Sequence, residues 1–271
     1  PRYGLTLYRS KKEPEKNSRD EKILANLTRA GSRMIGICRT NFFKRLDSSG
    51  HSFILTLRRH LVRNYLFIYA IENKLNLPIG AAYYLDPEDF LPDDDIEDGE
   101  TANEYSTAKL TDDELMKSAA EIYNQFSSRW ANKFDWINPD YFTPKLKKEL
   151  LSDCEVLLFI LGKTSNWDPA KDKQLRALYN LITSTHPDEK LLIFTEYADT
   201  AKYVYNYLTS MNVEQLGVVW GNSDDPTSVA HRFSPKSNGK TPGKPGEIRV
   251  LVTTDVLSEG QNLQDSHIVI N

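Results

Sequence analysis

The stretch Val250–Asn271 (VLVTTDVLSEGQNLQDSHIVIN) decides the fold. It opens on an unbroken apolar run, turns polar at Thr253-Thr254-Asp255, and closes on a second apolar run, His267–Ile270. Short apolar runs without alternation suit strands buried on both faces of a parallel sheet. Lys190–Leu208 (KLLIFTEYADTAKYVYNYL) follows the same plan. Its apolar run Leu191–Thr195 reads as a strand, and Asp199–Met211 has helical spacing. Between the two lie a strand over Glu214–Trp220 closed by Gly221, a short helix over Thr227–Phe233, and Ser234–Glu247, a loop holding three Pro and three Gly. Ile248–Thr253 then forms a strand. Strands alternating with helices mean a parallel sheet with helices on both faces.

Upstream the pattern becomes helical. Pro144–Gly162 is rich in Leu, and a further helix is expected from Asp168 or Pro169 to near Pro187. Residues 20–76 read as helix from the spacing of Ile23, Leu24 and Leu27 and of Phe53, Leu57, Leu61, Leu66 and Ile68, with a stop at Pro78 and Gly80. Thr111 before Asp-Asp-Glu-Leu is an N-cap signal for a helix reaching about Lys133. Asp86–Ser106, dense in acids and carrying two Pro and a Gly, reads as a solvated loop or disordered segment. The expected organisation is a basic helical region (1–83), an acidic linker or insertion with one helix (84–142), and an α/β domain (143–271).

Composition narrows the classes. The chain has 271 residues, 39% hydrophobic, with four Trp, fourteen Tyr and eleven Phe, enough to build a core. Cys38 and Cys154 are the only cysteines, which excludes a disulfide-stapled secreted fold and points to a reduced cytoplasm. No run of about 18 apolar residues is present to span a membrane. The start at Pro1 and the apolar finish at Asn271 read as an excised piece. The net charge of −4 conceals an asymmetry. Arg29–Arg63 carries eight Arg or Lys against Asp47, whereas Asp86–Glu114 carries thirteen acids against one Lys. The histidines are scattered and no C-x-x-C occurs, so no zinc site is expected. The acidic stretch lacks the order of an EF-hand loop. Trp130, Trp136 and Trp167 have the spacing of core aromatics rather than of a base-stacking platform.

Chemistry is expected at strand carboxyl ends, where loops and helix N-termini expose N–H groups to ligands. Thr195 and Glu196 lie at one such end, and Thr253, Thr254 and Asp255 at another. These segments resemble motifs IV and V of the second RecA-like lobe of a superfamily 2 helicase. The wording TEYADTA and TTDVLSEGQNLQ is similar to the Swi/Snf-like branch, especially bacterial members like the RNA-polymerase recycling ATPase. Trp220-Gly221 and His231-Arg232-Phe233 resemble the turn and helix between the two motifs, and Phe42–Leu61 (FFKRLDSSGHSFILTLRRHL) resembles the segment that precedes this lobe.

The resemblance implies an α/β, RecA-like fold and a role as the C-terminal lobe of an ATP-dependent translocase on DNA, double-stranded in this branch. It sets Thr195, Glu196, Gly221 and Thr254 against the nucleic-acid strand, and Asp255, Glu259, Gly260 and Gln261 at the nucleotide cleft. ATP and Mg would be held mainly by a first lobe, the chief partner along with DNA and other proteins. The basic segment, above all Lys44, Arg45, Arg58 and Arg59, could neutralise phosphates and release counterions. Its bland reading is a solvated helix face, or ion pairs to the acidic stretch. No G-x-x-x-x-G-K-[ST] and no DEAH-like pair occur, and the arginine-bearing segment that should follow motif V is absent before Asn271. No catalytic residue is therefore assigned, and the chain alone is expected not to hydrolyse ATP. Two other readings stand beside this one: a non-enzymatic interaction scaffold of RecA-like fold, and a nucleotide-binding transferase. The transferase predicts a glycine-rich first loop, and Leu191–Ala198 has no Gly.

Overall fold

The computed structural model describes residues 1–80, 111–164, 167–221, 223–243, 245–257 and 260–271, and for 30–34 and 80 the backbone alone. The expectations for Asp86–Ser106 and for Glu259 concern positions outside the described residues. The chain divides into two compact units, Pro1–Lys44 with Ile54–Asn166, and Arg45–Phe53 with Trp167–Asn271. This division differs from the one drawn from sequence, because the Leu-rich helix after Thr143 belongs to the first unit and a nine-residue upstream segment belongs to the second.

The expected helix over residues 20–76 is two helices, α1 (Arg19–Ser48) and α2 (Gly50–Glu72). The break has a local cause. Ser49 turns its hydroxyl onto the backbone N–H of Ser52 at 3.0 Å, satisfying an orphan donor at the start of α2. Ile23, Leu24 and Leu27 of α1 and Leu57, Leu61, Leu66 and Ile68 of α2 are buried, as their spacing requires.

Beyond α2 the expected stop is instead a strand. β1 (Leu77–Gly80) pairs antiparallel with β2 (Phe134–Ile137), Leu77 opposite Ile137 and Pro78 opposite Trp136. A two-stranded ribbon tolerates Pro because an edge position needs no ladder donor. Between them α3 (Asp112–Ser128) starts on a capping box. Thr111 accepts the Glu114 N–H while the Glu114 carboxylate accepts the Thr111 N–H at 2.9 Å. It stops at Ser128, short of Lys133, and the rings of Tyr123, Phe126, Trp130, Phe134 and Trp136 pack on one another. Trp130 and Trp136 are thus half-buried members of an aromatic cluster. α4 (Lys145–Thr164) is held in this unit by Lys147 to Glu72 at 2.8 Å and by the Tyr8 hydroxyl on Glu149.

The second unit is built on a parallel sheet of β3 (Leu191–Phe194), β4 (Leu216–Val219), β5 (Val250–Thr253) and β6 (Ile268–Ile270), in the order β4-β5-β3-β6. Alternate residues face opposite sides. Leu191, Ile193, Val250 and Val252 pack with α5 (Lys173–Asn180) and α6 (Ala198–Ser210). Leu192 and Leu251 pack with Phe233 and Ala230 of α7 (Pro226–Phe233). Both faces are buried, which is why these strands read as unbroken apolar runs. The fold is α/β and RecA-like, preceded by a helical region. The loop after α7 is pinned despite its Pro and Gly content. Asp265 accepts the N–H groups of Lys236 and Ser237 at 2.8 and 2.9 Å, and Lys190 pairs with Glu247 at 2.7 Å.

Candidate functional site

The site follows from the sheet ladder running one residue past each strand. Thr195 N–H donates to the Thr253 carbonyl at 2.9 Å, and Thr254 N–H donates to the Val219 carbonyl at 3.2 Å. Thr195, Thr254 and Trp220 therefore lie side by side at the carboxyl edge of β3, β5 and β4. Glu196, Gly221 and Asp255, each one residue further on, are exposed. The edge so presents a row of polar groups and backbone N–H groups above an apolar sheet.

Individual placements refine the expectations. Thr195 is half-buried and its hydroxyl donates to the Tyr197 carbonyl at 3.1 Å, which closes the turn into α6. Thr254 is only 5% exposed, and its carbonyl accepts the Thr253 hydroxyl at 2.9 Å. Its N–H is used inside the edge and its side chain is buried, so contact with a phosphate would require that edge to open. Gly221 has ordinary backbone dihedrals and a Cβ there would meet nothing within 4 Å. Neither strain nor packing demands glycine at 221, and the residue leaves its surface open to a ligand.

On the motif V side, Asp255 begins a short 3-10 turn, Asp255–Leu257. Gly260 has φ +73, a conformation that any L side chain would strain. Gln261 donates from Nε2 to the Thr227 hydroxyl at 3.3 Å, tying the motif to the first turn of α7.

Among the cations, Arg45 departs furthest from its expectation. It is 5% exposed, and its guanidinium donates to Asp199 at 2.8 Å instead of facing a nucleic-acid phosphate. Burial of a guanidinium requires such a partner, and the first turn of α6 supplies it. Lys44, Arg58 and Arg59 belong to the first unit. Lys44 is exposed, whereas Arg58 and Arg59 are half-buried, and burial holds the Arg58 guanidinium below its ordinary pKa.

Residues 173–271 match the helicase conserved C-terminal domain. The match supports reading this stretch as a helicase-type C-terminal lobe of superfamily 1 or 2. Neither the curated proteins nor the solved structures contain a significant match to the chain. The matched stretch takes in all four parallel strands and both sequence motifs, and leaves out Arg45–Phe53, which packs in the same compact unit.

Sequence reasoning missed two features of this stretch. Lys202 of α6 lies over the ring of Trp220 at 4.8 Å, a cation–π pair beside the edge. Asp199, read only as a helical residue, is the partner of Arg45. An aromatic at a strand end and an acid in the first turn of a helix were the available signals. The donor set does not by itself fit a metal: among the described residues no three His, Cys, Asp or Glu side chains are grouped to hold one. Among the same residues, no helix is long and apolar enough to cross a membrane.

Proposed function

We propose that the chain supplies the second lobe and a helical flank of a cytoplasmic ATP-dependent translocase or helicase of the Swi/Snf-like branch, acting on double-stranded DNA. The carboxyl edge of β4-β5-β3, lying inside the stretch that matches the helicase C-terminal domain, carries this reading. Thr195, Glu196 and Gly221 border the path of a nucleic-acid strand, with the Gly221 N–H available to a phosphate oxygen and the half-buried Trp220 beside it. Asp255, Gly260 and Gln261 border the nucleotide. ATP held mainly by a first lobe would supply the free energy of stepping. The residues of this chain orient the strand and exclude water from one side of the cleft. Lys44, Arg58 and Arg59 add phosphate contacts from the helical region.

The test is fluorescence anisotropy of the 271-residue chain with a labelled DNA duplex. Binding is expected to weaken steeply with salt. Gly221→Asp, which sets a carboxylate against the phosphate path, is expected to lower affinity about tenfold, the equivalent of about 1.4 kcal/mol. Circular dichroism should be unchanged. Absence of binding at low salt overturns the reading. The same chain is expected to show no DNA-stimulated ATP turnover, because its sequence contains no phosphate-cradling G-x-x-x-x-G-K-[ST] loop.

A further inference from the structure

We infer that Arg45 is a positioning residue for the loop Thr195–Tyr197, an inference that rests on the nucleic-acid reading of this edge. Arg45 reaches the lobe from far upstream in sequence, yet it packs within the same compact unit. Its Nη1 donates to Asp199 Oδ2 at 2.8 Å, both side chains being almost fully buried. The face of the guanidinium also lies over the Tyr197 ring, 4.0 Å from the centroid. Tyr197 is the N-cap residue of α6 and makes no side-chain capping bond. Its carbonyl receives the Thr195 hydroxyl at 3.1 Å. A short chain of contacts thus runs from Arg45 through Tyr197 to Thr195.

The rest of the segment holds Arg45 in register. The hydroxyls of Ser48 and Ser52 each lie 2.8 Å from the Thr200 hydroxyl. His51 stacks on Tyr203, with 4.4 Å between ring centroids and planes within 1°. The Tyr203 hydroxyl receives Trp167 Nε1 at 2.9 Å and donates to Asp172 at 3.0 Å. Gly50 lies against the Trp167 ring, where a Cβ would collide.

A role in positioning explains the choice of groups better than stability does. A buried ion pair is often no more stabilising than apolar residues of the same volume. What it adds is direction. A planar guanidinium that bonds Asp199 and covers Tyr197 fixes the loop in angle as well as in distance. Lysine, a point charge on a flexible stem, can keep the ion pair but not that orientation.

The experiment uses the 271-residue chain with Arg45→Ala, Arg45→Lys, and the paired change Arg45→Met with Asp199→Leu. Amide hydrogen exchange over residues 195–201 is measured beside anisotropy with a fluorescein-labelled duplex. The apolar pair is expected to keep the wild-type melting temperature, while exchange at Glu196 and Tyr197 quickens about tenfold and duplex affinity falls about tenfold. Arg45→Lys should lie between it and wild type. Wild-type exchange rates at 195–197 in the folded apolar pair, or in Arg45→Lys should the pair not fold, overturn the inference. A wild-type chain that binds no duplex removes the nucleic-acid reading, and the exchange measurement still decides whether Arg45 positions the loop.

Discussion

Among the described residues arginine is buried in two places, and the two settings deal with charge differently. In the second unit, Arg45 meets an acid: Asp199 neutralises it at 2.8 Å and Tyr197 covers its face. In the first unit, Arg2 is 7% exposed and lies 2.8 Å from Nδ1 of His60, whose ring stacks on Phe42 with centroids 4.4 Å apart. Burial, then Arg2 and Arg63, hold the His60 pKa well below its ordinary value. The ring is therefore neutral at pH 7, and its Nδ1 accepts from Arg2. Burial, seconded by Arg2, pulls the Arg63 guanidinium down to about 10. One cluster is compensated by opposite charge, whereas in the other a neutral histidine and the Tyr3 hydroxyl accept from Arg2. The first should respond to mutation of its acid, and the second to pH.

The sharpest break of this comparison is Asp199→Ala. It strands a buried guanidinium, and losses of about 3–5 kcal/mol are typical when one partner of a buried pair is removed. Urea unfolding should show it as a lower midpoint. A loss below about 1 kcal/mol would mean that Arg45 is not held by this pair.

Acid gives the next effect. The unfolded chain takes up a proton at His60 near pH 6.5 and the folded chain does not, so stability is fully present above that value. It falls as pH drops below it, by up to about 1.4 kcal/mol per pH unit until the depressed folded pKa is reached. Urea titrations at pH 7.5 and 5.5 should show the decline. His60→Asn, which cannot titrate, should remove most of the difference between the two.

The smallest effect is a control for distance. Lys12 and Asp140 are also 2.8 Å apart, but on the surface, with side chains 48% and 65% exposed. Water and salt screen such a pair. Lys12→Met is expected to leave the melting temperature within experimental error. A clear fall would show that separation, rather than burial, governs the charge pairs of this protein.

Much of the α/β half was legible because its signals are local. A strand buried on both faces reads as an apolar run, and Leu191–Phe194 and Val250–Val252 do. The N-cap at Thr111 was legible for the same reason, since the N–H it accepts lies three residues on. The site was legible in outline, because chemistry at a parallel sheet collects at strand ends. What was not legible were features made by contacts distant in sequence. The β1–β2 ribbon pairs Leu77 with Ile137, and Pro78 read alone looked like a terminator. Thr254 looked available until the ladder to Val219 took its N–H.

By itself the sequence determined the order and kind of the parallel strands, the polar edge where they end, and the absence of a phosphate-cradling glycine loop within its 271 residues. Only the tertiary structure decided what becomes of the charges. Arg45 and Asp199 lie 154 residues apart, and nothing in either neighbourhood announces the other. Periodicity is read over a few residues of chain, whereas the energy of a charge depends on the water left around it and on the nearest opposite charge. Both are set only when distant segments pack.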